Sequence, residues 1–122
     1  MAEKDIMEKT LESYADDFAD IINVLLFHGE RIIQEEELEE KAPRSVYKTD
    51  GKIRETERDV VKQWKKDSLC IACIGMENQT TSDPDMPLRV IGYDGSEYRA
   101  QLLKKGQQQR YPVVTLVLFF WL

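Results

Sequence analysis

Asp59 precedes a strand-like run, and Glu77-Asn78-Gln79 closes the next one. Side chains alternate along a strand, so Glu77 and Gln79 share a face while Asn78 points away. A hairpin folded about Ser68 sets Asp59 opposite or diagonal to Glu77, with Cβ atoms roughly 4.5–8 Å apart. One hard cation can bridge that span, and Mg²⁺ takes a few carboxylate oxygens and waters at about 2.0–2.1 Å. Two close carboxylates repel; a divalent cation removes the repulsion and keeps both ionised. It also polarises a phosphoryl oxygen and acidifies an attacking water. Gln79 can orient such a water through its amide, but it carries no positive charge. The competing reading is a set of exposed ion pairs with Arg58, Lys62 and Lys65.

Several elements must position these groups. Residues 4–27 carry Leu11, Tyr14, Phe18, Ile21, Ile22 and Leu25 at three- and four-residue spacing, which predicts an amphipathic helix. Asp16, Asp17 and Asp20 lie largely off that stripe. His28-Gly29 marks its end, with Gly29 suited to a left-handed cap. Residues 30–50 read as irregular or briefly helical, and the acidic run Glu35–Glu40 as a solvated segment. Residues 52–64 and 69–80 read as two strands joined by a turn at Lys65–Ser68. Pro87 opens a second helix to about Lys105, with Asp85 as a candidate N-cap and Gly92 and Asp94-Gly95 as points where it could split. Residues 111–121 form the last strand. The predicted order is α-β-β-α-β in one α/β domain spanning 1–122.

Hydrophobic residues make up 42% of the 122 and charged residues 33%, enough for a folded core. The net charge of −6 argues against phosphate binding by the whole surface, though not against a local basic stripe. The charged start Met1–Asp5 and two cysteines point to a reduced, cytoplasmic setting. The apolar run Val113–Leu122 is shorter than the ~20 residues of a membrane helix, so no membrane partner is expected. Its abrupt end at Phe119-Phe120-Trp121-Leu122 suggests that a C-terminal region is missing, and an exposed last strand would favour a homo-oligomer.

Cys70 and Cys73 have half the spacing of a zinc site but no second pair, and read as packed thiols. His28 pairs with no visible nucleophile. Arg89, Arg99, Lys104 and Lys105 could line a phosphate-binding face of the second helix, or simply cover its solvent side. Trp64 reads as packed against the sheet.

The segments Glu57-Arg58-Asp59-Val60 and Gly75-Met76-Glu77-Asn78-Gln79-Thr80 together resemble the core of the PD-(D/E)XK nuclease superfamily. The resemblance is closest to its transposase-like, recombination-promoting nuclease family, which has a Glu-x-Gln form of the motif. Asp83–Tyr93 and Tyr111–Leu118 resemble that family's next segment and core strand. The resemblance implies a restriction-endonuclease-like core, a mixed sheet flanked by helices. It implies a metal-dependent DNA endonuclease linked to recombination or mobile elements. It also implies that Asp59 and Glu77 bind Mg²⁺ or Mn²⁺, that the Asn78 carbonyl joins them, and that Gln79 stands where lysine is common. An acid of the first helix, Asp17 or Asp20, is implied as an accessory ligand, and Arg89 remains a candidate phosphate contact. The alternative is a catalytically inactive, truncated remnant serving as an interaction module.

Overall fold

The computed structural model describes residues 14–41, 44–49, 52–57, 59–79, 82–104, 106 and 109–119, with only the backbone described for 44–49 and 52–57. Helix α1 spans Ala15–Phe27; residues 4–13 of the predicted helix lie outside the described residues. Its buried positions are Phe18, Ala19, Ile22 and Asn23, two i,i+4 pairs on one face. Tyr14 and Leu25, counted in the predicted stripe, are about half exposed. The chain turns left-handed at His28 (φ 56°), one residue before Gly29 (φ 86°), whose N–H closes on the Asn23 carbonyl at 2.9 Å. Asn23 then ties down the loop that follows. Its amide donates to the Ile33 carbonyl and accepts from the Ile33 N–H, both at 2.9 Å.

Beyond a 3-10 turn at Glu35–Glu37, strand β1 covers Leu38–Glu40. Strands β2 (Arg44–Thr49) and β3 (Lys52–Glu57) form a separate antiparallel ribbon. Strand β4 is Val60–Lys66 and β5 is Leu69–Gln79. Helix α2 runs unbroken over Met86–Leu103, and β6 is Val113–Phe119. The main sheet has the order β1-β4-β5-β6, with β6 parallel to β5 and the other pairs antiparallel. The fold is therefore α/β, with a four-stranded mixed sheet and two helices.

The predicted α-β-β-α-β order needs correction. Residues 30–50, expected to be irregular or briefly helical, hold the 3-10 turn at Glu35–Glu37 but also the two strands β1 and β2, and the single strand over 52–64 is divided into β3 and β4. Leu38-Glu39-Glu40 is a short edge strand whose carboxylates meet lysines of β4: Glu39 with Lys65 at 2.9 Å and Glu40 with Lys62 at 3.7 Å. Charge on a short edge strand blunts it against further pairing, and it also hides the strand from a reading based on apolar alternation. Gly92 and Gly95 do not split α2, since packing along its length outweighs their low helix propensity.

The hairpin turn is tighter than predicted. Asp67 (φ 51°) and Ser68 (φ 70°) are the two loop residues, both left-handed as a primed hairpin turn requires. The register runs Val60↔Met76 to Trp64↔Ala72, then shifts at a bulge before Lys65↔Cys70. Even-numbered β5 residues Ala72, Ile74 and Met76 pack with Val60, Phe18, Ala19 and Ile22 under α1. The odd-numbered face carries Cys73, with Val61, Val113 and Tyr111. There α2 docks through polar bonds: Tyr98 Oη accepts the Val113 N–H at 2.9 Å, and Gln101 exchanges two bonds with the Tyr111 backbone. The sheet is thus covered by α1 on one face and α2 on the other. Among the described residues no helix is long and apolar enough to cross a membrane.

Lys62 is 2% exposed, with Nζ 5.7 Å from the centre of the Phe18 ring. Its ionic partner Glu40 is 82% exposed, so the pair gains little and the ammonium loses its hydration. Removing the lysine strands no buried carboxylate. Lys62→Met is therefore expected to leave stability unchanged or raise it by about 1 kcal/mol in urea titrations. A loss above about 2 kcal/mol would contradict this account of the site.

Candidate active site

Asp59 occupies the bend just before β4, and its Oδ2 accepts the Asn78 N–H at 2.8 Å. This bond carries the hairpin register one position past the last ladder pair, so Asp59 reaches the end of β5 as the sequence spacing predicts. Glu77 is 6% exposed and belongs to the odd-numbered face of β5, toward α2. From α2, Arg89 brings Nη2 to 3.6 Å from Glu77 Oε1. The same guanidinium donates to Asp83 Oδ2 and to Tyr93 Oη, both at 3.0 Å. Asp83 Oδ1 accepts the Asp85 N–H at 2.9 Å, which shapes the entry to α2. That backbone bond, followed by the Arg89 bond, holds the Asp83 carboxyl below the usual carboxylate range. The Asp83 and Tyr93 bonds in turn hold the Arg89 guanidinium more firmly protonated than a free arginine.

Gln79, two residues beyond Glu77, donates its side-chain amide to the Asn78 carbonyl at 3.1 Å. Asp59, Glu77, the Asn78 main chain, Gln79 and Arg89 therefore meet at one end of the sheet. Asp17 and Asp20 belong to the other layer. The α1 residues beside them pack on the even-numbered face of β5, and exposed Asp20 borders a groove with Val117, Leu118 and Phe119. Among the described residues, no three acidic, histidine or cysteine side chains gather as metal ligands would.

Asp83 is the partner that sequence reasoning missed. Its spacing to Arg89 crosses a helix start, where neither strand nor helix periodicity applies. The α2 inner face was missed as well. Glu97, 2% exposed, receives Lys41 Nζ at 3.6 Å, so Arg89, Tyr93, Glu97 and Gln101 make a polar row at four-residue intervals toward the sheet. Arg99 and Lys104 are exposed; Lys105 and Arg58 lie outside the described residues. Cys70 and Cys73 are buried thiols, and burial raises the Cys70 pKa. His28 is exposed at the end of α1.

No protein-family model matches the chain, and neither a curated protein nor a solved structure matches it.

What this arrangement can do follows from its donors. Asp59 and Glu77 supply hard carboxylate oxygens and Asn78 a main-chain carbonyl, the donor types that suit Mg²⁺ or Mn²⁺. Arg89 supplies a guanidinium beside them, held by Asp83 and Tyr93.

Proposed function

We propose that residues 1–122 are the restriction-endonuclease-like core of a metal-dependent DNA endonuclease, acting in recombination or on mobile elements in the cytoplasm. The observation that carries this reading is the meeting of Asp59 with the Glu77-Asn78-Gln79 segment, fixed by the 2.8 Å bond from the Asn78 N–H to Asp59. Asp59 and Glu77 would hold Mg²⁺ or Mn²⁺, with the Asn78 carbonyl as a further donor. When bound, such an ion polarises a phosphoryl oxygen and lowers the pKa of a water. The side chains do the rest. Arg89 orients the DNA phosphate next to Glu77. Gln79, whose amide nitrogen donates to the Asn78 carbonyl, would offer its amide oxygen to the water that attacks. Tyr93 and Asp83 keep Arg89 from swinging into solvent, which preserves its alignment during the reaction.

A second reading follows from the Arg89–Glu77 contact. Arg89 already balances the buried Glu77 carboxylate, so the pair can serve as a structural tie in a non-catalytic interaction module. A titration with Mn²⁺, followed by water-proton relaxation, separates the two. The nuclease reading expects one Mn²⁺ per chain, with affinity lowered at least about tenfold in Asp59→Asn and in Glu77→Gln. A folded parent chain that binds no Mn²⁺ would sink it.

A further inference from the structure

The β4–β5 hairpin is bulged near its turn. Trp64 pairs with Ala72 and Lys65 with Cys70, which leaves Ile71 without a partner on β4. Residues paired across two strands share a face, so the bulge brings Cys70 onto the face of Gln63, Lys65 and Cys73. That face is the one α2 covers. The segment leading into β6 runs beside β5 and is pinned there. The Gln109 amide donates to the Cys70 carbonyl at 2.8 Å and the Cys73 N–H to the Pro112 carbonyl at 2.9 Å, while Tyr111 is held by its two bonds to Gln101. Between these walls and the end of α2 lies an open cleft of about 350 Å³, bordered by Gln63, Lys65, Ser68, Lys104, Gln109 and Tyr111. It sits at the far end of β4 from Asp59, roughly 20 Å along the strand.

The cleft is cationic in an acidic chain. Its described lining carries two lysines and no carboxylate, although the net charge of the chain is −6. Lys104 is exposed at the end of α2. Lys65 meets Glu39 at 2.9 Å, but that carboxylate is 60% exposed, and a surface pair of this kind yields readily to another anion. Gln63 Nε2 donates to Tyr111 Oη at 3.2 Å, so the phenol accepts there and keeps its own proton for a further acceptor. Burial raises the Tyr111 pKa, which holds that proton in place at neutral pH. Two ammonium groups, a phenol and the Ser68 hydroxyl thus border one cleft, all of them donors to an oxyanion. We propose that this cleft binds a phosphate monoester, the dianion carried by a nucleotide or by the phosphorylated end of a DNA strand. Lys65 and Lys104 match its two charges, Tyr111 and Ser68 donate to its remaining oxygens, and the rest of the cleft takes the sugar. The site is separate from Asp59, Glu77 and Arg89 and does not depend on cleavage.

Calorimetric titration of the full chain with dTMP, in EDTA so that no metal takes part, tests this. One dTMP is expected to bind per chain, and thymidine, which lacks the phosphate, should not bind. Lys104→Met and Tyr111→Phe should each weaken dTMP binding about tenfold, as the loss of one bond to a charged group does. Arg99→Met, an equal loss of charge on the exposed side of α2, should leave it unchanged. A terminally phosphorylated oligothymidylate that binds more tightly than dTMP makes the ligand a strand end, and one that binds no more tightly makes it a free nucleotide; both results carry the monoester site. Absence of dTMP binding by the folded parent overturns the proposal, as does equal binding of thymidine. So does dTMP binding that Lys104→Met leaves intact, since a phosphate held by Arg89 at the other end of the sheet would behave in that way. Equal weakening by Arg99→Met overturns it too, because attraction by net charge needs no cleft. Should Tyr111→Phe fail to fold, Lys104→Met, at an exposed side chain, decides.

Discussion

Phe18→Ala is expected to lower the unfolding free energy by about 3–5 kcal/mol. Phe18 is fully buried. It joins α1 to the sheet in one cluster with Ile22, Ile33, Val60 and Met76. Its ring also lies beneath the Lys62 ammonium, so truncation removes packing and leaves that charge facing a void. Neighbours fixed on a sheet cannot collapse far into the gap, which places the loss toward the upper part of the range. Stabilities of single domains are about 5–15 kcal/mol, so much of the total would go. Tyr14, 55% exposed on the same helix, is the control. Tyr14→Ala should change stability by no more than about 0.5 kcal/mol. Urea titrations of both variants measure the contrast, and a Phe18→Ala loss below about 1.5 kcal/mol would contradict the central place of α1 in the core.

The β4–β5 hairpin was the most legible part of the chain. The register from Val60↔Met76 to Trp64↔Ala72 is the one expected for a hairpin folded about Ser68, and it brings Asp59 to the end of β5; the two-residue turn alone would set the pairs one residue off, and the bulge restores them. The bulge before Lys65 was not legible, because one extra residue leaves no mark in composition. Strand β1 escaped notice because Leu38-Glu39-Glu40 satisfies its charges with lysines of β4, a relation that exists only after folding. Buried Lys62 escaped for the same reason.

Helix α2 shows the limit of periodicity most clearly. Leu88, Ile91 and Leu102 are about two-thirds exposed, whereas Glu97 and Gln101 are buried. Specific bonds from Lys41 to Glu97 and from Gln101 to Tyr111 satisfy these polar groups, and that reverses the usual assignment of faces. Asp17 and Asp20 could be placed on α1 from sequence. The layer of the fold to which α1 belongs could not, since it depends on which face of β5 the helix covers.

Glu77→Gln is expected to reduce DNA cleavage by a factor on the order of 10²–10³. The substitution keeps the shape of the side chain and removes one negative charge. Asp59 would then remain as the one acidic ligand at the end of the hairpin, and Arg89 would lose its buried counter-ion while keeping Asp83. The backbone bond from Asn78 to Asp59 does not involve Glu77, so the local fold should persist. Glu36→Gln, on the exposed acidic segment, should cut as the parent does.

Conversion of supercoiled plasmid to nicked circle in Mg²⁺ or Mn²⁺, by the parent chain and by Glu77→Gln at matched thermal stability, tests the nuclease assignment most directly. The account predicts nicking by the parent that EDTA abolishes and that Glu77→Gln lacks. Equal nicking by the two proteins, or none by a folded parent in either metal, would contradict it.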